Sequence, residues 1–407
     1  MGYEMDEAAV SRLRDYFATI GLCLGHKRRR ASFAMYAYGV LGDGERKSAE
    51  PIAARACADP ELARATHEKL LHFLGRSEWD DRAVRELAAR HVMEAMSVRE
   101  PVTTWVIDDT GFLKQGSHSV GVQRQYTGSA GKVANCQVGV SLSAATRTEH
   151  VPIDFELYLP KCWSDSPERR REARIPDEVE FKTKPELALG MISRAVAAKL
   201  PGEVVLADSA YGDSNEFRAE VRKLGLDYAV GIHAPTRVGS LDTRSRRRGA
   251  PLSVQALGEK LGPGALRRIT WREGTGGKLS SRFFLRRVKV AHDDGTEPTE
   301  REPVWLLMEW PEGEPKPTKF SLTTLPRRMR KKQIVRIVKE RWRTERVYED
   351  LKGELGLDHF EGRSFLGWHH HVSVVLCCSA FVVAERVRHF PPSQGRAHCY
   401  GPLQHAA

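Results

Sequence analysis

Three residues at helical spacing put charge on one face of a segment that is otherwise patterned for burial. Arg341, Glu345 and Lys352, with Tyr348 among them, fall within a sector of roughly 60° at 100° per residue. Ile334 and Val338 lie on the same sector in the preceding turns, so the stripe is apolar first and charged later. A solvated face would be charged throughout and a core face not at all. A stripe that changes character runs from a core into a site. The chemistry open to such a set is phosphate handling, with cations holding anionic oxygens beside a carboxylate. Taken alone, Arg341 and Glu345 at i, i+4 also read as a surface ion pair worth about a few tenths of a kcal/mol. The site reading needs further acids, and two upstream stretches supply them.

The elements that must position these residues can be read in outline. From Arg327 no Pro or Gly interrupts the chain until Gly353, so one long helix to about Glu354 is expected. Thr103–Ile107 reads as a strand ending on Asp108-Asp109-Thr110-Gly111. Val120 and Val122 alternate toward Tyr126, and Cys136, Val138, Val140 and Leu142 alternate in a further segment, with Gly128-Ser129-Ala130-Gly131 between them. An antiparallel meander follows. A helix with Pro185 in its first turn buries Leu187, Ala188, Met191, Ile192, Ala195 and Val196. After Glu203, Val204–Ala207 is a short apolar run, the mark of a strand buried on both faces, and Asp208 ends it. A helix over Ser214–Leu224 and a strand over Tyr228–Ile232 complete a βαβ unit. Adjacent acids after a strand are also common turn formers, so Asp108-Asp109 and Asp208 each have a plain structural reading too.

This order is that of an RNase H-like mixed sheet, an α/β (α+β) fold whose first and fourth strands lie side by side. By fold analogy, Asp108 (or Asp109) and Asp208 would then face each other. At this point the chain resembles a bacterial insertion-sequence transposase of the DDE class, in the group with a Y-x2-R-x3-E-x6-K signature. Arg341, Glu345 and Lys352 match the R, E and K, whereas Val338 stands at the tyrosine position. Asp108-Asp109-Thr110 and Ala207-Asp208 match the family's upstream acids. Lys114–Val122, Asn135–Val140 and Gly356–Arg363 are similar to its flanking segments, and the likeness runs roughly from Phe33 to Val383.

The resemblance implies catalytic and metal-binding roles for Asp108, Asp208 and Glu345, with Asp109 as the alternative first acid. Cleavage and strand transfer are in-line attacks on a phosphodiester, and two Mg²⁺ ions, with Mn²⁺ as the alternative, can activate the nucleophile and stabilise the leaving oxygen. Magnesium takes hard oxygen ligands and keeps several waters. Three close carboxylates without cations would repel one another. Arg341 and Lys352 are expected on DNA phosphates, and Tyr348 and Trp342 on an unpaired base, with core packing as the other reading of Trp342. The run Arg246-Arg247-Arg248 is expected on the DNA backbone, or else in a solvated loop.

Composition agrees with a polyanionic partner. The 407 residues include 64 Lys and Arg against 53 Asp and Glu, and the pI is about 9.3. Seven cysteines without a C-x-x-C pair argue against a disulfide framework or zinc ribbon, and fit reduced thiols in a bacterial cytoplasm, at the nucleoid when DNA is bound. No apolar run approaches a membrane span and no signal-peptide core is present, so no membrane partner is expected. Double-stranded DNA, as element ends and target, and a homodimer in the DNA complex are the partners implied. The expected organisation is a helical DNA-binding region over 1–100 and a catalytic core over 101–233. A β-rich basic insertion over 234–303 follows, then the second part of the core with the Glu345 helix over 304–389, and a disordered tail over 390–407. His26–Arg30 is either a phosphate contact or a solvated loop. His369-His370-His371 is expected to pack and hydrogen-bond, because consecutive helical histidines point apart. A catalytically inert, domesticated DNA-binding derivative is the alternative function; the presence of all three acids disfavours it.

Overall fold

The computed structural model describes residues 7–240, 250–274, 277–291 and 303–389; Arg246–Arg248 and the tail from 390 lie outside the described residues. The chain divides into two compact units. Among the described residues one comprises 7–102, 108–201 and 343–389, the other 103–107 and 202–342.

In the first unit, local signals start the helices. The Asp59 carboxylate accepts the Leu62 N–H at 2.8 Å ahead of Pro60, which opens the helix Pro60–Gly75. Asp80 does the same for Asp81–Ser97 through the Ala83 N–H at 3.0 Å. Both helices pack on Phe365–His389. That 25-residue helix corrects the expectation that no apolar run approaches a membrane span: by length and composition it is long and apolar enough, with a mean hydropathy of 1.4. Its most apolar stretch is 89% buried within the protein, as in a core helix.

The strands of this unit are β1 (Thr104–Leu113, from Asp108 onward), β2 (Gln123–Thr127), β3 (Lys132–Ala145) and β4 (His150–Tyr158). β3 lies beside β1 and pairs antiparallel with both β2 and β4. The meander therefore runs β1, β3, β4, and the segment ending at Tyr126, expected as its second strand, is a short arm on β3. Pro152 and Asp154 interrupt the apolar alternation of β4, which hid it from sequence reading. Tertiary ion pairs accommodate the charge. Asp154 takes Arg85 at 2.8 Å and Arg194 at 2.7 Å, Arg194 also reaches Glu156 at 2.6 Å, and His369 lies 3.4 Å from Glu156.

In the second unit, β1 contributes Thr104–Val106, paired in parallel with Val204–Leu206 of β5 (Val204–Ala207). β5 pairs in parallel with β6 (Asp227–Ile232). The β-rich segment follows as β7 (Arg237–Ser240), β8 (Leu252–Ser253), β9 (Arg267–Gly274) and β10 (Gly277–Val290). β11 (Val304–Trp310) and β12 (Lys319–Thr323) join it to the core strands, because β12 is antiparallel to β6, β11 to β12 and β10 to β11. Strand by strand, β4 antiparallel to β3, β3 beside β1, and parallel β1, β5 and β6 are the pairings of an RNase H-like mixed sheet.

The single helix expected from Arg327 is broken. Lys331–Lys339 ends in a 3-10 turn, Glu340–Trp342, and Arg343–Gly353 follows. No Pro or Gly causes this; side-chain contacts on either side do. Trp342 lies under the Arg272 guanidinium at 4.0 Å in the second unit. In the first unit, the Arg343 guanidinium donates to the carbonyls of Thr146, at 2.8 Å, and Arg147. A 3-10 turn inside a helix is a common response to such competing demands.

Candidate active site

Asp108 lies within β1 and is buried, and its Oδ1 accepts the backbone N–H of Asp109 at 2.9 Å. The Asp109 side chain points elsewhere, as strand alternation requires, and its Oδ2 meets Lys184 Nζ at 3.0 Å. Lys184 opens a helix (Lys184–Ala197) held by a full capping box between Thr183 and Glu186.

Lys352 does not extend into solvent. Its ammonium donates to Thr110 Oγ1 and to the Gly111 carbonyl, both at 2.8 Å, and lies 5.3 Å from the centre of the Phe112 ring. Burial lowers its pKa, with Asp358 opposing. The helix Arg343–Gly353 is thereby fastened to the residues that follow Asp108. Glu345 stands in the first turn of that helix and is exposed. Tyr348, expected on an unpaired base, is buried instead: its hydroxyl is 2.6 Å from Ser141 Oγ and its ring packs edge-on to Phe155. It belongs to the core because the helix turns this face onto β3 and β4.

In the second unit, Asp208 follows the wholly buried β5 and caps the one-turn helix Ser209–Gly212, its Oδ1 accepting the Ala210 N–H at 2.9 Å. Gly212 and Gly231 allow that turn to lie on β6, since a Cβ on Gly212 would stand 1.9 Å from the Gly231 carbonyl. Beside it is a chain that sequence reading missed. Ser209 Oγ is 3.3 Å from His233 Nε2, and His233 Nδ1 pairs with the Asp213 carboxylate. No spacing pattern links these three; only the packing of the turn on β6 does. Arg341 and Trp342 stand on the 3-10 turn, where about 120° per residue replaces helical spacing.

The His26–Arg30 run is no loop, since Lys27 opens the helix Lys27–Leu41. The three histidines pack as expected. His370 Nδ1 is 2.8 Å from the Leu74 carbonyl and its ring stacks on Trp79. His371 lies between Tyr36 and the Gly356 carbonyl, and His369 against Phe365. Among the described residues no three His, Cys, Asp or Glu side chains gather as a metal-holding group.

These pairings and acids define a class. Residues 21–278 match the family described as DDE superfamily endonuclease, and the chain belongs to that family. Residues 183–381 match the Transposase DDE domain. A probable transposase for insertion sequence element IS701 from Microchaete diplosiphon is 30% identical over 207 residues, 50% of this chain and 50% of that protein. The chain thus spans about half the length of that curated relative. These matches bear out the resemblance to insertion-sequence DDE transposases. A piggyBac transposase, solved by cryo-EM as a synaptic complex with hairpin DNA, aligns with 10% identity at a TM-score of 0.44, covering 89% of this chain and 66% of its own.

Proposed function

We propose that the protein is the DNA transposase of an insertion sequence, which binds the element's terminal repeats and catalyses metal-dependent cleavage and strand transfer. One observation carries the reading. Val106 and Leu206 are paired in parallel, and each is followed at the same offset by an aspartate, Asp108 and Asp208. Family membership supports the same assignment, with Glu345 as the third acid.

The donor set is carboxylate oxygen throughout, which suits Mg²⁺ or Mn²⁺. Bound there, two such ions would supply charge stabilisation to the attacking and leaving oxygens of the phosphodiester. The chain's own residues do the rest. Asp108, Asp208 and Glu345 are the residues that would hold the ions, and Lys352 steadies the backbone after Asp108 through Thr110 and Gly111. Arg341, Trp342 and the Arg246–Arg248 run serve the DNA, and two copies act on paired ends.

The test is strand nicking of an end-bearing duplex in Mg²⁺ with a gel-shift alongside. Glu345→Gln preserves size and removes charge. The rate should fall by several orders of magnitude, since metal stabilisation of the transition state is worth several kcal/mol, while DNA binding survives. Near-normal nicking by this variant would return Glu345 to the role of a surface charge.

A further inference from the structure

The arm formed by β2 and β3 is absent from the mechanism above, and it presents exposed apolar side chains. Tyr126 and Val133 are partners across the two strands, and both are exposed, at 65% and 52%. Arg124, two residues before Tyr126, shares its face and is exposed too. Lys132 stands on the reverse face beside the turn. One aromatic with one aliphatic neighbour is far too small for a stable protein interface, which needs about 800 Å² per partner. It is the right size for a single planar base.

Charge points to the same occupant. No Asp or Glu occurs between Asp109 and Glu149, a stretch that holds Lys114, Arg124, Lys132 and Arg147. The turn of the arm, Gly128–Ala130, is fixed to the strand that carries Asp108. Ser129 Oγ donates to the Gly111 carbonyl at 3.1 Å, the same carbonyl that Lys352 holds, and is 2.9 Å from Thr127 Oγ1. Gly111 is required there, because a Cβ would stand 2.0 Å from Thr127 Oγ1.

We propose that this arm is a stacking platform for one unpaired base of a DNA strand, with the Tyr126 ring on the base and Arg124 on an adjoining phosphate. The proposal rests on the DNA-processing reading and assigns it a contact. Base–aromatic stacking does not depend on sequence, since every base has a π-face.

The test uses the full-length protein and two duplexes, one blunt and one with a short 3′ overhang carrying 2-aminopurine. The fluorescence of the overhang base should be quenched on binding. Tyr126→Ala should abolish the quench and weaken overhang binding about tenfold, leaving the blunt duplex unchanged, and Tyr126→Trp should restore both. Arg124→Ala should reduce the salt dependence by close to one phosphate. Unchanged overhang affinity in Tyr126→Ala, or equal losses on both duplexes, overturns the platform. So does a change in self-association without a change in DNA binding. Nicking is measured separately, on the end-bearing duplex. Loss of the catalytic reading would leave the platform standing, and an unquenched base with normal nicking would remove the platform alone.

Discussion

The first unit buries many charged and histidine side chains, and the second, among the described residues, buries few, Arg218 and Glu309. His150, Glu156, His370 and His371 are enclosed in the first unit, together with Arg85. In the second, burial lowers the pKa of Lys339, which pairs with Glu309 at 2.6 Å. The same contrast separates the two aspartates. Asp108 is enclosed within a ten-residue strand, on a backbone fastened by Lys352 from more than two hundred residues away. Asp208 is held locally, by a four-residue strand before it and the turn it caps. One acid depends on tertiary packing, the other on its own neighbours.

The largest effect expected is common to both acids. Asp108→Asn and Asp208→Asn should each reduce nicking by at least about a thousandfold, or about 4 kcal/mol. Asparagine still accepts the Asp109 or Ala210 N–H, so urea midpoints should stay close to wild type. Robust nicking by either variant would remove that residue from the proposed triad.

Acid should separate the units. Burial lowers the pKa of His370 and of His371 to about 4. Folding therefore holds them neutral where the unfolded chain, near 6.5, takes up protons. Their contribution is complete above the unfolded value and is lost as pH falls from about 6.5 toward 4, on the order of 3 kcal/mol for each ring. Hydrogen exchange at pH 7 and at 4.5 should show protection falling in Phe365–His389 and holding in β10–β12. Equal losses in both would erase the contrast.

The smallest effect tests the neighbouring acid. Asp109→Asn breaks a half-exposed ion pair with Lys184, worth at most about 1 kcal/mol, and should leave part of the nicking activity. If Asp109→Asn is inert while Asp108→Asn is active, the metal-binding role passes to Asp109.

What the sequence determined by itself was whatever a few adjacent residues control. Asp59-Pro60 and Thr183 with Glu186 start helices because the Asp59 and Thr183 side chains accept N–H groups three residues on and Glu186 accepts the Thr183 N–H. Asp208 was readable because an apolar run stops at it. The two upstream acids and the R-x3-E-x6-K spacing were enough to reach the family. Tertiary structure decided the rest. The break at Glu340–Trp342 follows from Arg272 below Trp342 and the carbonyls that take Arg343. β4 forms despite Pro152 and Asp154 because Arg85 and Arg194 neutralise the acid. Tyr348 is turned inward by Ser141, and Lys352 toward Gly111, over separations of 207 and 241 residues. Periodicity gives the direction of a side chain about its own axis. What it meets there depends on strands elsewhere in the chain, and no local pattern encodes that.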